Sequence, residues 1–304
     1  MTGSEPASDA AGNAFERVPT GGSASPAGVS PIVLAIAAHK GGVGKTTTAI
    51  SLAAGLARIR GASVLLVDLD PQGHAAKGLD REVPWSQPVF NAEHAAGLSA
   101  RDLFLEPPAP LVSCERTTDV PGLTIVPSNI GLERVAQWLH ARPRREGRLA
   151  ERIQDVRGYH WIVLDCPPSL GPLVENALCA AHFVIVPCRM EARAADGLVD
   201  LVDVLHMLRP GFDRWRILRT QRDARASKTN EAIDAVLAEY SSRLLQTVIP
   251  KSEALNQSQI VRQDIFEYDK QSAGAVAYSM LCGEVEAWVK ISQVVDEAAE
   301  SGSA

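Results

Sequence analysis

The sequence is short of lysine, of paired cysteines and of long apolar runs. Of its 30 Lys and Arg residues only seven are lysine, so each lysine invites a reason. The five cysteines (Cys114, Cys166, Cys179, Cys188, Cys282) are scattered with no C-x-x-C pair. That excludes a zinc ribbon or a disulfide scaffold and predicts reduced thiols in a cytoplasmic protein. No signal-peptide pattern opens the chain, and no apolar run reaches the ~18 residues a membrane span requires. Acids outnumber bases, 36 to 30, for a net charge of −6, which excludes a wholly basic nucleic-acid coat but leaves room for a local basic patch. Within 304 residues, 46% hydrophobic content is enough for one large α/β domain or two small ones.

Residues 1–30 are mostly Gly, Ser, Ala and Pro, with too few large apolar side chains to offset the entropy of ordering. They are expected to be a disordered extension, too plain for a helix-turn-helix. Residues 31–298 are expected to form the folded domain, and 299–304 a flexible tail. From Pro31 onward, short apolar runs alternate with helical patterns. The runs are Ile32–Ala38, Ser63–Val67, Leu123–Val126, Trp161–Leu164, Phe183–Val186, Trp215–Leu218 and Thr247–Ile249. Helical periodicity marks Ala49–Arg58, Gly131–His140, Leu149–Val156, Leu198–Leu208, Asn230–Tyr240 and Ala275–Ala298. This alternation predicts a doubly wound, mostly parallel sheet flanked by helices, with ligands bound at the carboxyl ends of the strands. Residues 71–122 carry no clear pattern.

The first run leads into Lys40-Gly41-Gly42-Val43-Gly44-Lys45-Thr46-Thr47 and then a helix. Strand, glycine-rich turn, Gly-Lys-Thr and helix form the grammar of a phosphate-binding loop. Glycines let backbone N–H groups curl around phosphate oxygens, and the helix N-terminus adds a positive dipole. Lys45 would reach the β- and γ-phosphates and the Thr46 hydroxyl would ligate Mg²⁺. The usual first glycine is replaced by His39, and a second lysine, Lys40, opens the loop.

That loop resembles the deviant Walker A motif of the ParA/MinD superfamily of dimerising ATPases. Two further blocks match in order: Asp68-Leu69-Asp70-Pro71-Gln72-Gly73, and Ile162 through Asp165-Cys166-Pro167-Pro168-Ser169. Weaker echoes run from Pro187 to Glu191 with Gly197, through Thr247–Pro250, and from Tyr268 to Tyr278. The resemblance implies a P-loop NTPase fold with ATP and Mg²⁺ as cofactors. It implies nucleotide contacts from Gly41, Gly42, Val43, Gly44, Lys45, Thr46, Thr47 and Pro250. It implies that Lys40 crosses a homodimer seam to the partner's nucleotide, much as an arginine finger acts in trans. Asp70 would position or activate the attacking water, and Thr46, Asp68 and Asp165 would stand at the metal. A MinD-like membrane-positioning ATPase is the alternative. It is disfavoured by five acids against one lysine from Gly283 to Ala304, a charge that anionic lipid repels. An iron–sulfur reductase of this superfamily is disfavoured because no cysteine has the context of a cluster ligand.

What remains is the ParA-type partition and positioning branch. The resemblance then implies that the ATP-bound homodimer binds DNA without sequence preference and is nucleoid-associated. It also implies that a ParB-like centromere-binding or cargo-adaptor partner stimulates hydrolysis. Between Leu208 and Lys228 seven cations face two acids, for net +5, and Ala141–Arg157 carries net +3. Arg214, Arg216, Arg219, Arg222, Arg225, Lys228 and Lys251 are the candidate DNA contacts. The family's usual Pro-Arg-Asn segment is here Pro250-Lys251-Ser252-Glu253-Ala254, which keeps a single cation. Arg189 replaces a residue that is commonly neutral.

Overall fold

The computed structural model describes residues 30–79, 97–191 and 196–301. The expected extension over residues 1–30, apart from residue 30, lies outside the described residues, as do 80–96, 192–195 and 302–304. Apolar segments of four to eight residues are too short for stable isolated helices and gain most by burial on both faces of a sheet. Seven of them become strands, joined by a two-residue exposed edge strand, β3: β1 Ile32–Ile36, β2 Val64–Asp68, β3 Arg116–Thr117, β4 Leu123–Val126, β5 Trp161–Asp165, β6 Phe183–Arg189, β7 Trp215–Arg222 and β8 Leu244–Pro250. They form one sheet in the order β3-β4-β2-β5-β1-β6-β7-β8, parallel throughout except for the antiparallel edge pair β3–β4. The expected doubly wound, mostly parallel sheet is what the chain forms.

The helices are α1 Lys45–Arg58, α2 His74–Leu79, α3 Gly131–Leu139, α4 Arg148–Ile153, α5 Pro172–Ala180, α6 Asp196–Leu208, α7 Ser227–Val236, α8 Glu253–Ile260, α9 Ile265–Tyr268 and α10 Ala273–Ser301. One core lies under α3, α4, α5 and α6, around Val33, Ala35, Leu65, Leu164, Leu173 and Leu201. The other lies under α1 and α10, around Leu34, Ile36, Leu66, Leu52, Tyr278 and Val285. Alternate residues of β1 thus serve opposite faces, and each fully buried aliphatic contributes about 1.5–3 kcal/mol. Helices α1 and α10 pack closely because Gly55 has no side chain; a Cβ there would lie 2.6 Å from Cys282 Sγ. The five cysteines are free thiols, with no disulfide between them.

Several elements are longer than the sequence pattern suggested, among them β6, which runs to Arg189, and β8, which spans Leu244–Pro250. Strand β7 continues past Leu218 to Arg222, because the half-buried Arg219, Gln221 and Arg222 are polar and blunt the apolar signal. Helix α10 runs to Ser301, beyond residue 298 where the domain was expected to end. No helix among the described residues is long and apolar enough to cross a membrane.

Candidate functional site

Strand β1 ends at the centre of the sheet, and the chain turns through residues 37–44 before α1 begins at Lys45. The turn needs left-handed backbone at Gly42 (φ 72°) and Gly44 (φ 91°), where a side chain would be strained. Gly44 is the N-cap of α1 and supplies no side-chain cap, so the first N–H groups of the helix are left for a ligand. A Cβ on Gly41 or Gly44 would meet nothing within 4 Å: the loop surrounds open space.

Lys45 is buried, and its Nζ donates to the Lys40 carbonyl at 2.7 Å, closing the loop across its own mouth. Burial pushes its pKa down, opposed by Asp165, Cys166 and Asp70. Helix α1 is fastened behind the loop. Thr48 Oγ1 lies 3.1 Å from the hydroxyl of the fully buried Tyr278 on α10, and Gln259 Nε2 donates to Thr47 Oγ1 at 2.6 Å. From the β7 side, Thr220 Oγ1 donates to the Val43 carbonyl at 2.8 Å and Gln221 Nε2 to the Gly42 carbonyl at 2.9 Å. The reasoning from sequence missed Thr220, Gln221 and Gln259 as supports of this loop. The one available signal was Thr220, a small polar residue inside a run that otherwise buries alternate positions.

The acids arrive by register. Asp68 at the end of β2 pairs with Asp165 at the end of β5, and Asp165 pairs with Ile36 at the end of β1. Two fully buried carboxylates therefore stand side by side under the phosphate loop. Their environments differ. Asp68 accepts the N–H groups of Asp70 and Ala75, each at 3.0 Å, and its pKa is raised to about 7, first by burial and then by Asp70. Asp165 is raised well above the carboxylate range by burial and by Asp68, tempered by the Thr46 hydroxyl close by. Neither of its oxygens completes a hydrogen bond. Asp68, expected at the metal, also positions the loop of residues 70–75, since each of its oxygens accepts a backbone N–H there. Asp70 accepts the Gln72 N–H at 3.0 Å and is nearly buried.

An orphaned buried carboxylate beside a threonine hydroxyl and a buried lysine fits Mg²⁺ carried in with a nucleotide. Among the described residues no three His, Cys, Asp or Glu side chains enclose a metal on their own. Mg²⁺ characteristically takes one or two carboxylates plus phosphate oxygens, not an all-protein cage. Lys40 stands at the rim of the site, its Nζ 2.8 Å from Glu191 Oε1, while Arg189 Nε holds Glu191 Oε2 at 3.0 Å. The Lys40 pairing, with Arg189 assisting, holds Glu191 below its ordinary carboxylate pKa. Pro250 closes β8 and pairs in register with Arg222, so it belongs to the β7–β8 corner and not to the phosphate loop.

The expected DNA cluster does not form one patch. A strand rises ~3.3 Å per residue, so β7 carries its two ends roughly 25 Å apart. Arg214 and Arg216 sit at its start, on the floor of the sheet opposite the phosphate loop. There Arg214 pairs with Asp296 and Arg216 stacks 4.8 Å from the Trp288 ring. Arg219 is turned inward to Asp234 and the Leu245 carbonyl, and Arg222 also binds Asp234. On the phosphate-loop side, Arg225, Lys228 and Lys251 remain exposed, with Arg225 and Lys251 joined through Asp223 at 2.9 and 3.7 Å. A cavity of about 870 Å³ also lies on the floor, around Pro121, Arg152 and Tyr159.

This arrangement can be set against known proteins. A protein family described as "AAA domain" matches residues 32–213, more than half of the chain. The chromosome partitioning protein ParA of Caulobacter vibrioides is 34% identical over 83% of this chain and 93% of its own. The chain belongs to the ParA-type ATPases. The sporulation initiation inhibitor protein Soj of Bacillus subtilis is also 34% identical to this ParA-type chain, over 84% of it and 98% of Soj. Among solved structures, a Mycobacterium smegmatis protein described as cobyrinic acid a,c-diamide synthase, with bound ADP and magnesium, is 31% identical with a TM-score of 0.68. That match covers 83% of this chain and 93% of the mycobacterial one.

Proposed function

We propose that this ParA-type protein is an ATP-dependent partition ATPase. It binds MgATP in the phosphate loop, forms a homodimer across that loop, holds DNA without sequence preference, and hydrolyses slowly until a ParB-like partner stimulates it. The observation that carries the nucleotide part is Asp165: both of its oxygens are buried and unpaired, beside Thr46 and Lys45. Bound Mg²⁺ would supply charge neutralisation at the phosphates.

In this reading each residue has its own part. Thr46 and Asp165 would hold the metal, and Asp68 fixes the loop that carries Asp70. Lys45 lies between the Lys40 carbonyl and the acids, so a γ-phosphate in the cradle takes over its charge. Asp70, on a backbone set by Asp68, orients the attacking water. Lys40 leaves Glu191 and crosses to the partner's nucleotide, which ties hydrolysis to dimerisation. Arg225, Lys228 and Lys251 take DNA phosphates, which would make the dimer nucleoid-associated.

The test is binding to a random-sequence duplex with ATP, ADP or no nucleotide across a salt series. ATP-dependent, salt-steep binding is expected, with Arg225→Glu/Lys251→Glu cutting affinity at least tenfold and leaving basal ATPase intact. No binding with ATP at low salt, with hydrolysis blocked, would sink the DNA part and leave the ATPase assignment standing.

A further inference from the structure

At the floor of the sheet, arginines gather with few acids to answer them. Arg216 at the start of β7 donates its Nη1 to the Trp215 carbonyl at 2.8 Å and reaches the Asp213 carbonyl at 3.4 Å, and Arg243 just before β8 donates its Nη1 to that same Asp213 carbonyl. Neither has an ion-pair partner among the described residues; the carboxylate of Asp213 acts on Arg216 only through space. Burial and the neighbouring Arg243 together push the Arg216 pKa down, so the two like charges are held together at a cost. Each guanidinium is backed by an aromatic ring: Arg216 lies 4.8 Å from Trp288, and Arg243 lies 5.0 Å from Trp215. The indole N–H of Trp215, in a side chain that is 3% exposed, has no acceptor at all. The neighbouring floor arginines are spent otherwise, Arg214 on Asp296 and Arg209 on the carbonyls of Leu178 and Ala181.

The site therefore offers donors in excess of acceptors, on ring platforms that fix the guanidinium planes. A phosphate oxygen relieves both the repulsion and the unpaired donors, and planar guanidinium suits it better than ammonium. We infer that Arg216 and Arg243 form a second phosphate-binding site, on the floor of the sheet, that takes a nucleic-acid backbone independently of the nucleotide loop. Nucleic acid is the occupant the charges favour. The nearest helix end carries Asp296 and Glu297, which repel a lipid surface but tolerate a backbone that touches at a point. The floor stands roughly the full length of β7 from Arg225 and Lys251. A dimer with both surfaces occupied would hold two DNA segments at once. This last consequence rests on the proposed DNA-binding function, whereas the floor site itself does not.

The experiment uses the full chain without nucleotide at low salt, titrated with a random-sequence duplex. Weak, nucleotide-independent binding is expected. Its salt slope should fall by about one unit for each arginine neutralised in Arg216→Gln/Arg243→Gln. Arg216→Lys/Arg243→Lys should keep most of the slope, and Arg225→Glu/Lys251→Glu should leave it unchanged. Retained basal ATPase confirms that the variants fold. With an ATP analogue, beads bearing one duplex should capture a second labelled duplex through the wild type and not through the Gln pair. An unchanged slope in the Gln pair overturns the site. Binding to phosphatidylglycerol vesicles that depends on the two arginines, with none to DNA, overturns the choice of occupant. Loss of ATP-dependent binding alone, with floor binding intact, would count against the proposed function and not against this site.

Discussion

Lys40 is held in its own chain by Glu191, Nζ to Oε1 at 2.8 Å, while its carbonyl accepts the Lys45 ammonium at 2.7 Å. One residue thus links the rim of the phosphate loop to its interior, through its side chain on one side and its backbone on the other. The backbone link survives any substitution at position 40; the side-chain link does not. Lys40→Ala should therefore keep nucleotide affinity within a few-fold of wild type. Partner- or DNA-stimulated turnover should fall by on the order of 10³, the scale on which a cation supplied in trans acts. Fluorescent-nucleotide titration and a coupled ATPase assay read the two quantities, and full stimulated turnover in the variant would end the trans role.

Asp70 contributes no bond to the phosphate loop itself, and its carboxylate is occupied by the Gln72 N–H. Asp70→Ala should spare ATP binding and dimer formation while slowing hydrolysis, so a dimer should persist with ATP through size-exclusion chromatography. A variant that stays monomeric with ATP would show that Asp70 assembles the site and does not act on water.

Thr220 binds the Val43 carbonyl from beneath the loop, and both groups are buried. Thr220→Val keeps the shape and leaves that carbonyl unpaired, at about 1–3 kcal/mol. Thermal stability without nucleotide should drop, and ADP affinity should weaken several-fold because the loop must be ordered by the ligand. A melting temperature and an ADP affinity both equal to wild type would show that Thr220 only fills space.

His182 joins β6 to β1: its Nδ1 accepts the Val33 N–H at 2.9 Å. Burial of that edge, with Arg209 and Arg214 adding positive charge, holds its pKa below the ordinary 6.5. The unfolded chain thus binds the proton more readily than the folded one. The stabilisation is complete above about 6.5 and is lost as pH falls below it towards the folded value. In His182→Asn the amide oxygen can still accept from Val33 but does not titrate, so its melting temperature should decline less steeply below pH 6.5. Parallel declines would place the acid sensitivity elsewhere.

Much of this molecule was legible in its sequence because local pattern and burial agree. Leu123–Val126 is bounded as its apolar run suggested, and the phosphate loop was recognisable because glycine is required where the backbone turns left-handed. The β7 region was misread for a physical reason. Seven cations within 21 residues look like one surface, but an extended strand spreads its residues along its length and across both faces. The backbone bonds of Asp68 were not legible, because an acid at a strand end looks the same in sequence whether or not its oxygens accept backbone N–H groups.

The sequence by itself determined the alternation of most strands and helices outside residues 71–122, the phosphate loop between β1 and α1, and the placement of acids at strand ends, since each depends on residues close together in the chain. Only the tertiary structure decided which acid keeps free oxygens, which lysine is held by which carboxylate, and which arginines share a face. Those outcomes depend on strand register and on hydrogen bonds between residues as far apart as Thr220 and Val43. Such pairings are chosen by the competition for buried donors and acceptors once the sheet has closed.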